Sequence, residues 1–153
     1  MNSEIILNKK EILDYQNNFG DYLMIDCVTN IKPGEFAQGY KDLIPSLWFF
    51  KFHWPEDPNM PGALQLEALS QMASLIILSI PENKKKIMYL TSHKYTQFKR
   101  KVIPGDRLII NSKVIKWSRG IGNFYAESHV NDKLTCKSEF TLVLPDVLKK
   151  FSL

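Results

Sequence analysis

Cysteine is nearly absent from this chain: Cys27 and Cys136 are the only two in 153 residues, and no C-x-x-C pair occurs. That usage supports neither a disulfide scaffold nor a zinc site. No other metal-ligand cluster stands out, so no metal is expected. Two buried, reduced thiols in the cytoplasm are the expectation. Long apolar runs are missing too. The greasiest stretch, residues 63–80, is marginal in length for a bilayer span and carries Gln65, Glu67 and Gln71. It reads as a core helix, and no membrane association is expected. The opening "MNSEIILNKKEILDYQ" lacks the basic start, apolar stretch and small-residue cleavage site of an export signal. Charge of one sign is in short supply: 20 basic residues face 16 acidic ones, for a net +4. So mild an excess suits an acidic partner or an anionic ligand but is too diffuse to argue for nucleic acid.

What is present is ample apolar material, 44% of the chain, in a length that suggests one domain over residues 1–153. Asn8 followed by Glu11 forms a capping-box signature for a short helix. "DYLMIDCV" (21–28) reads as a strand bounded by Gly20 and "NIKPG", and residues 35–42 read as another. "LWFFKF" (47–52) could be strand or turn. Pro55, Pro58 and Pro61 make 54–61 a stiff, irregular loop. The spacing predicts a helix over 62–80, with Pro61 as its first residue and Pro81 ending it. Strands follow at 87–98, 107–117, 121–130 and 133–144, separated by "VIPGDR", "SRGIG" and "VND". One long helix, apolar almost all round, must be covered almost all round. The expected fold is therefore α+β, a curved antiparallel sheet of about six strands wrapped on a central helix. Its edge strands offer a place for a second copy to pair, so a dimer is expected.

The stretch "HWPEDPNMPGALQLEALSQ" (53–71) concentrates the chemistry. Glu67, Ser70, Gln71 and Ser74 fall at i, i+3, i+4 and i+7, one polar stripe on an apolar helix. Glu67 lies about 7.5 Å along the axis from Gly62 at 1.5 Å per residue. Its side chain leans back toward the free N–H groups of the first turn. Gly62 has no side chain, so a ligand oxygen can approach its N–H, and the helix dipole adds positive character there. A carboxyl group among apolar residues favours its neutral form. A neutral acid can donate a proton where a neutral imidazole, here His53, accepts one, which is what eliminating water requires. The same residues also admit plainer readings, in which His53 packs beside Trp54 and the stripe marks only the exposed edge of a core helix.

This stretch resembles the motif of the hot-dog-fold 3-hydroxyacyl-[acyl-carrier-protein] dehydratases, matched at His53, Pro55, Pro58, Pro61, Gly62, Glu67, Ala68 and Gln71. The resemblance continues through "YLMIDCV", "QFKRKVIPGDRL" and "SRGIGNFYAESHVNDKLTCKSEF", covering about residues 8–144. It implies a hot-dog fold assembled as a homodimer or a trimer of dimers, with each tunnel shared between two subunits. It further implies a 3-hydroxyacyl thioester substrate carried on the phosphopantetheine of acyl carrier protein, and no cofactor of the enzyme's own. His53 would be the base, Glu67 the acid, and the Gly62 N–H the group polarising the thioester carbonyl. Phe52, Trp54, Met60 and Gln71 would line the tunnel, while Lys94, Lys99, Arg100 and Lys101 would receive the acidic carrier protein. The glutamate distinguishes plain dehydration from the related isomerising enzymes, which carry aspartate there. Phe52 stands where the family usually has glycine, and Trp54 where phenylalanine is usual. A hot-dog thioesterase, and a non-catalytic acyl-binding hot dog with its tunnel blocked by Phe52, are the alternatives.

Overall fold

A computed structural model of the chain describes residues 6–151. Its centre is α3 (Gly62–Leu78), seventeen residues long and buried over almost its whole length. Against it lies one antiparallel sheet built from β1 (Leu7–Asn8), β2 (Cys27–Lys32), β3 (Phe36–Asp42), β4 (Tyr89–Phe98), β5 (Arg107–Ser118), β6 (Ile121–Val130) and β7 (Lys133–Val143). The strands run in the order β1-β2-β3-β5-β6-β7-β4. The count is thus seven rather than about six, the extra strand being the two-residue pairing of Leu7 and Asn8 with Val28 and Cys27.

Period-two alternation places one sheet face on the helix. Ala37, Leu108, Ile110, Phe124, Ala126, Phe140 and Leu142 are all buried in the core with α3. Gly39 sits on that inner face because nothing larger fits: an added Cβ would lie 2.1 Å from the Cys27 carbonyl oxygen and 2.7 Å from Met72 Cε. Both late hairpins close through two consecutive left-handed residues, Arg119 and Gly120 in one, Asn131 and Asp132 in the other, the turn that matches strand twist. The capping box forms as expected. Asn8 Oδ1 accepts from the N–H groups of Lys10 and Glu11, and Glu11 Oε2 accepts from the Asn8 N–H at 2.8 Å, opening α1 (Lys9–Ile12).

Three boundaries differ from expectation. The strand expected at 21–28 begins only at Cys27 and runs on to Lys32, with a single 3₁₀ turn at Gly20–Tyr22 before it. The reason is that Leu23, Met24 and Ile25 are consecutively buried, which alternation forbids on a half-covered strand. Side chains take up part of their backbone instead, beside the bond from the Leu23 N–H to the Gly20 carbonyl at 3.2 Å. The Met24 N–H donates to Gln71 Oε1 at 2.9 Å, and the ammonium of buried Lys41 donates to the Leu23 carbonyl and to Asp26, each at 3.1 Å. "LWFFKF" is neither strand nor turn but a short helix, α2 (Trp48–Phe52), anchored by buried Phe49 and Phe50. Finally, Pro61 caps α3 from outside, with ψ 137°, rather than forming its first residue, and the helix ends at Leu78 with Ser79 as its cap.

β4 stands apart from the rest. Among the described residues it pairs only with β7 and forms an edge of the sheet, and nearly every residue along it is exposed. Tyr89, Leu90, Tyr95 and Phe98 are the large apolar side chains left open there. No helix among the described residues is long and apolar enough to cross a membrane.

Candidate active site

His53 is placed by the end of α2. Its N–H donates to the Phe49 carbonyl at 2.8 Å, closing the helix, and the chain then turns out into the proline loop. That loop is stapled to the strand side through the Met60 N–H, which donates to the Val102 carbonyl at 2.8 Å. Within the loop Asn59, itself buried, brings its carbonyl oxygen to 2.9 Å from His53 Nδ1. A carbonyl can only accept, so in the neutral ring Nδ1 carries the proton and Nε2 keeps the free lone pair. The imidazole is stacked on Trp54, ring centres 4.7 Å apart at 21°. Trp54 holds this position at φ 53°, a left-handed conformation rare for a bulky residue.

His53, Trp54, Met60 and Gly62 line an open cleft of about 400 Å³, together with Phe98 and the basic run Lys99, Arg100 and Lys101. The start of α3 forms its floor. Leu64 and Gln65 both donate to the Pro61 carbonyl, at 2.9 and 3.0 Å, so the N–H groups of Gly62 and Ala63 have no acceptor within the helix. No side chain caps them and no acidic residue lies in the first turn, which leaves the positive end of the helix uncompensated. Gly62 is tightly covered: a Cβ there would come within 3.0 Å of the Phe98 ring. The glycine therefore makes room for this aromatic.

Glu67 lies elsewhere, half-buried and outside the lining of this cleft. Gln71 Nε2 donates to Glu67 Oε1 at 2.8 Å and to the Tyr22 carbonyl at 2.8 Å. The Tyr22 phenol is held above its ordinary pKa by burial and, second, by the nearby Glu67 carboxylate. Gln71 is thus committed on both amide atoms, 2% exposed, and contributes a brace for Glu67 and the 22–24 segment rather than a free tunnel wall.

Of the remaining expected site residues, Phe52 is 71% exposed and Lys94 faces Glu139 at 3.6 Å, and neither lines the cleft. Lys101, in the cleft lining, forms an ion pair with Asp57. Sequence reasoning missed Asn59, which acts through its backbone and so leaves no side-chain signal. It also missed Phe98, whose aromatic character at the end of "KYTQF" was the available hint. Among the described residues no group of three or more His, Cys, Asp or Glu side chains comes together to hold a metal ion.

A long buried helix against an open, curved antiparallel sheet defines a hot-dog protein. The chain belongs to the FabA-like domain family, whose model matches residues 19–139. It is 36% identical over 138 residues to the 3-hydroxyacyl-[acyl-carrier-protein] dehydratase FabZ of Clostridium novyi, covering 89% of this chain and 97% of that one. To the FabZ of Lactobacillus helveticus it is 34% identical, over 95% and 98% of the two chains. The fold is shared with the dehydratase heterocomplex ApeI:P from Xenorhabdus doucetiae, at a TM-score of 0.77 and 12% identity over 92% of this chain and 95% of that one. The likeness to FabZ runs through nearly the whole length, and the activity it supports is dehydration of a 3-hydroxyacyl thioester.

Proposed function

We propose that this chain removes water from 3-hydroxyacyl groups carried on acyl carrier protein, in fatty acid or related acyl-chain synthesis, with His53 as base and Glu67 as acid. His53 Nε2 takes the C2 proton, the C2–H electron pair forms the C2–C3 double bond, and the C3–O bond breaks. The departing oxygen takes a proton from Glu67 and leaves as water, giving a trans-2-enoyl thioester. The Gly62 N–H stabilises the charge that develops on the thioester oxygen, a contribution of about 3 kcal/mol in comparable oxyanion sites. One observation carries the reading: the hydrogen bond from His53 Nδ1 to the Asn59 carbonyl, which leaves Nε2 as the acceptor in the cleft. The two side chains supply acid and base themselves, so the reaction draws on no cofactor beyond the carrier's arm.

Glu67 is absent from the cleft of its own chain, which supports a site completed by a second copy. The open edge of β4, with Tyr89, Leu90, Tyr95 and Phe98 exposed, is the surface that copy would cover. A homodimer is the minimal unit of this reading, and a trimer of dimers repeats it. Lys99, Arg100 and Lys101 at the cleft mouth suit the acidic carrier protein. A cytoplasmic setting fits a carrier-bound substrate and the free thiols of Cys27 and Cys136. The likeness to FabZ dehydratases over nearly the whole chain favours turnover over the blocked-tunnel alternative.

The test is hydration of crotonyl-acyl carrier protein, followed by loss of enoyl-thioester absorbance, with product analysis to exclude hydrolysis. His53→Ala and Glu67→Gln should each lose on the order of a hundredfold or more while remaining folded. Mixed and reassembled, the two dead variants should regain about a quarter of wild-type activity, since a hybrid dimer holds one intact site. Mixtures as inactive as their parents would remove the shared site.

A further inference from the structure

Gln65 has a side-chain oxygen with nothing to bond. It rises from the first turn of α3, three residues on from Gly62 and so on the same face. Its side chain leans back toward the helix start. Gln65 lines the His53 cleft, yet it is only 3% exposed and its Oε1 has no hydrogen-bond partner. A buried amide oxygen without a donor costs stability, and folded proteins keep few of them. The residue lines the wall of the cleft that holds the proposed base, one turn along α3 from the free N–H groups at its head.

We infer that Gln65 is a positioning residue whose Oε1 accepts the amide N–H of the pantetheine-type arm that carries the acyl chain. The inference rests on the dehydratase reading. In that reading the thioester oxygen sits on the Gly62 N–H and the 3-hydroxyl faces the Glu67 that a second copy of the chain supplies. The nearest donor left on the substrate is then the arm's first amide, two carbons beyond the sulfur. Gln65 stands about 4.5 Å along the axis from Gly62 at 1.5 Å per residue, within the span of that short linker. The bond holds the thioester in register with His53 and satisfies an oxygen that the folded chain leaves bare.

The experiment compares two crotonyl thioesters, one of N-acetylcysteamine, which keeps the amide, and one of ethanethiol, which lacks it. Gln65→Met should lower kcat/KM for the first on the order of tenfold, the scale of one lost hydrogen bond, and leave the second unchanged. Its melting temperature should equal or exceed that of the wild type, because the bare oxygen is gone. A merely structural role would move both substrates together and lower the melting temperature. Crotonyl-acyl carrier protein and crotonyl-coenzyme A share the arm and should fall alike. Equal falls on both small thioesters, no fall on either, or a fall with the carrier protein alone would overturn the assignment. Should Gln65→Met fail to fold, Gln65→Leu serves the same comparison. If the wild type hydrates none of them, the dehydratase reading fails instead. Quenching of tryptophan fluorescence by the two thioesters then decides Gln65 separately, with weaker binding of only the amide-bearing one upholding it and equal binding overturning it.

Discussion

Replacing Gln71 by methionine keeps the volume of the side chain and removes its amide. In the wild type that amide accepts from the Met24 N–H at 2.9 Å and donates to the Tyr22 carbonyl and to Glu67 Oε1, each at 2.8 Å. Met24 is fully buried, so its N–H finds no water when Gln71 is lost. Tyr22 is half-exposed, and its carbonyl can recover part of the loss. One buried N–H left unpaired and one carbonyl partly so amount to about 3 kcal/mol. At about 3 °C per kcal/mol for a chain of this size, the melting temperature should drop by roughly 9 °C. Activity measured well below that transition should also fall, mainly in kcat, because Glu67 loses the donor that orients it. Ser74→Ala is the control. Its hydroxyl lies on the same stripe but donates only to the Gln71 carbonyl one turn back, so its removal should cost within about 0.5 kcal/mol. A Gln71→Met protein with an unchanged melting temperature and wild-type kcat would refute the brace.

Gly39→Ala should cost more than about 4 kcal/mol, since the new methyl group meets backbone at 2.1 Å and Met72 at 2.7 Å. Soluble yield and a urea midpoint measure it, and near-wild-type values would show that the sheet gives way there. Stability should also fall in alkali. Burial pushes the Cys136 thiol from 9.0 up to about 12. Burial, then the bond to Glu127, pushes the Tyr125 phenol from 10.0 up to about 12. Both groups keep their protons longer in the folded chain than in the unfolded one. Stability is therefore full below about pH 9 and declines as pH rises from there toward 12. Urea midpoints on either side of pH 9 test the sign, and a midpoint that rises would contradict it.

The long helix and the late strands were legible because their patterns are pure. Residues 107–143 alternate over most of their length, and residues 62–78 are apolar on nearly every face. The 23–26 segment was not, since "LMI" reads as strand until the distant amines and amides that satisfy its backbone are known. Lys41 and Gln71 supply them from other elements, and no local pattern reports a partner far along the chain. α2 was missed for a related reason: aromatic residues favour strands on average, and packing of Phe49 and Phe50 decided otherwise. At the site, His53, Gly62 and Glu67 stood out by spacing. The carbonyl that sets the imidazole's tautomer belongs to Asn59, and any residue there would offer the same oxygen.

The position of β4 has a consequence for how the chain comes off the ribosome. Among the described residues its only partner in the sheet is β7, with Tyr89 paired to Val143 and Phe98 to Cys136, so the fourth strand made must wait for the last. Until then both of its edges are bare and Tyr89 and Tyr95 stand exposed, the circumstances in which nascent chains stick to one another. Long-range pairing of this kind also slows folding, because the loop must close before any contact rewards it. Synthesis rather than the mature enzyme is thus where this protein is most exposed to aggregation. Truncations within β7 should do their damage there, by orphaning a strand whose own sequence is intact.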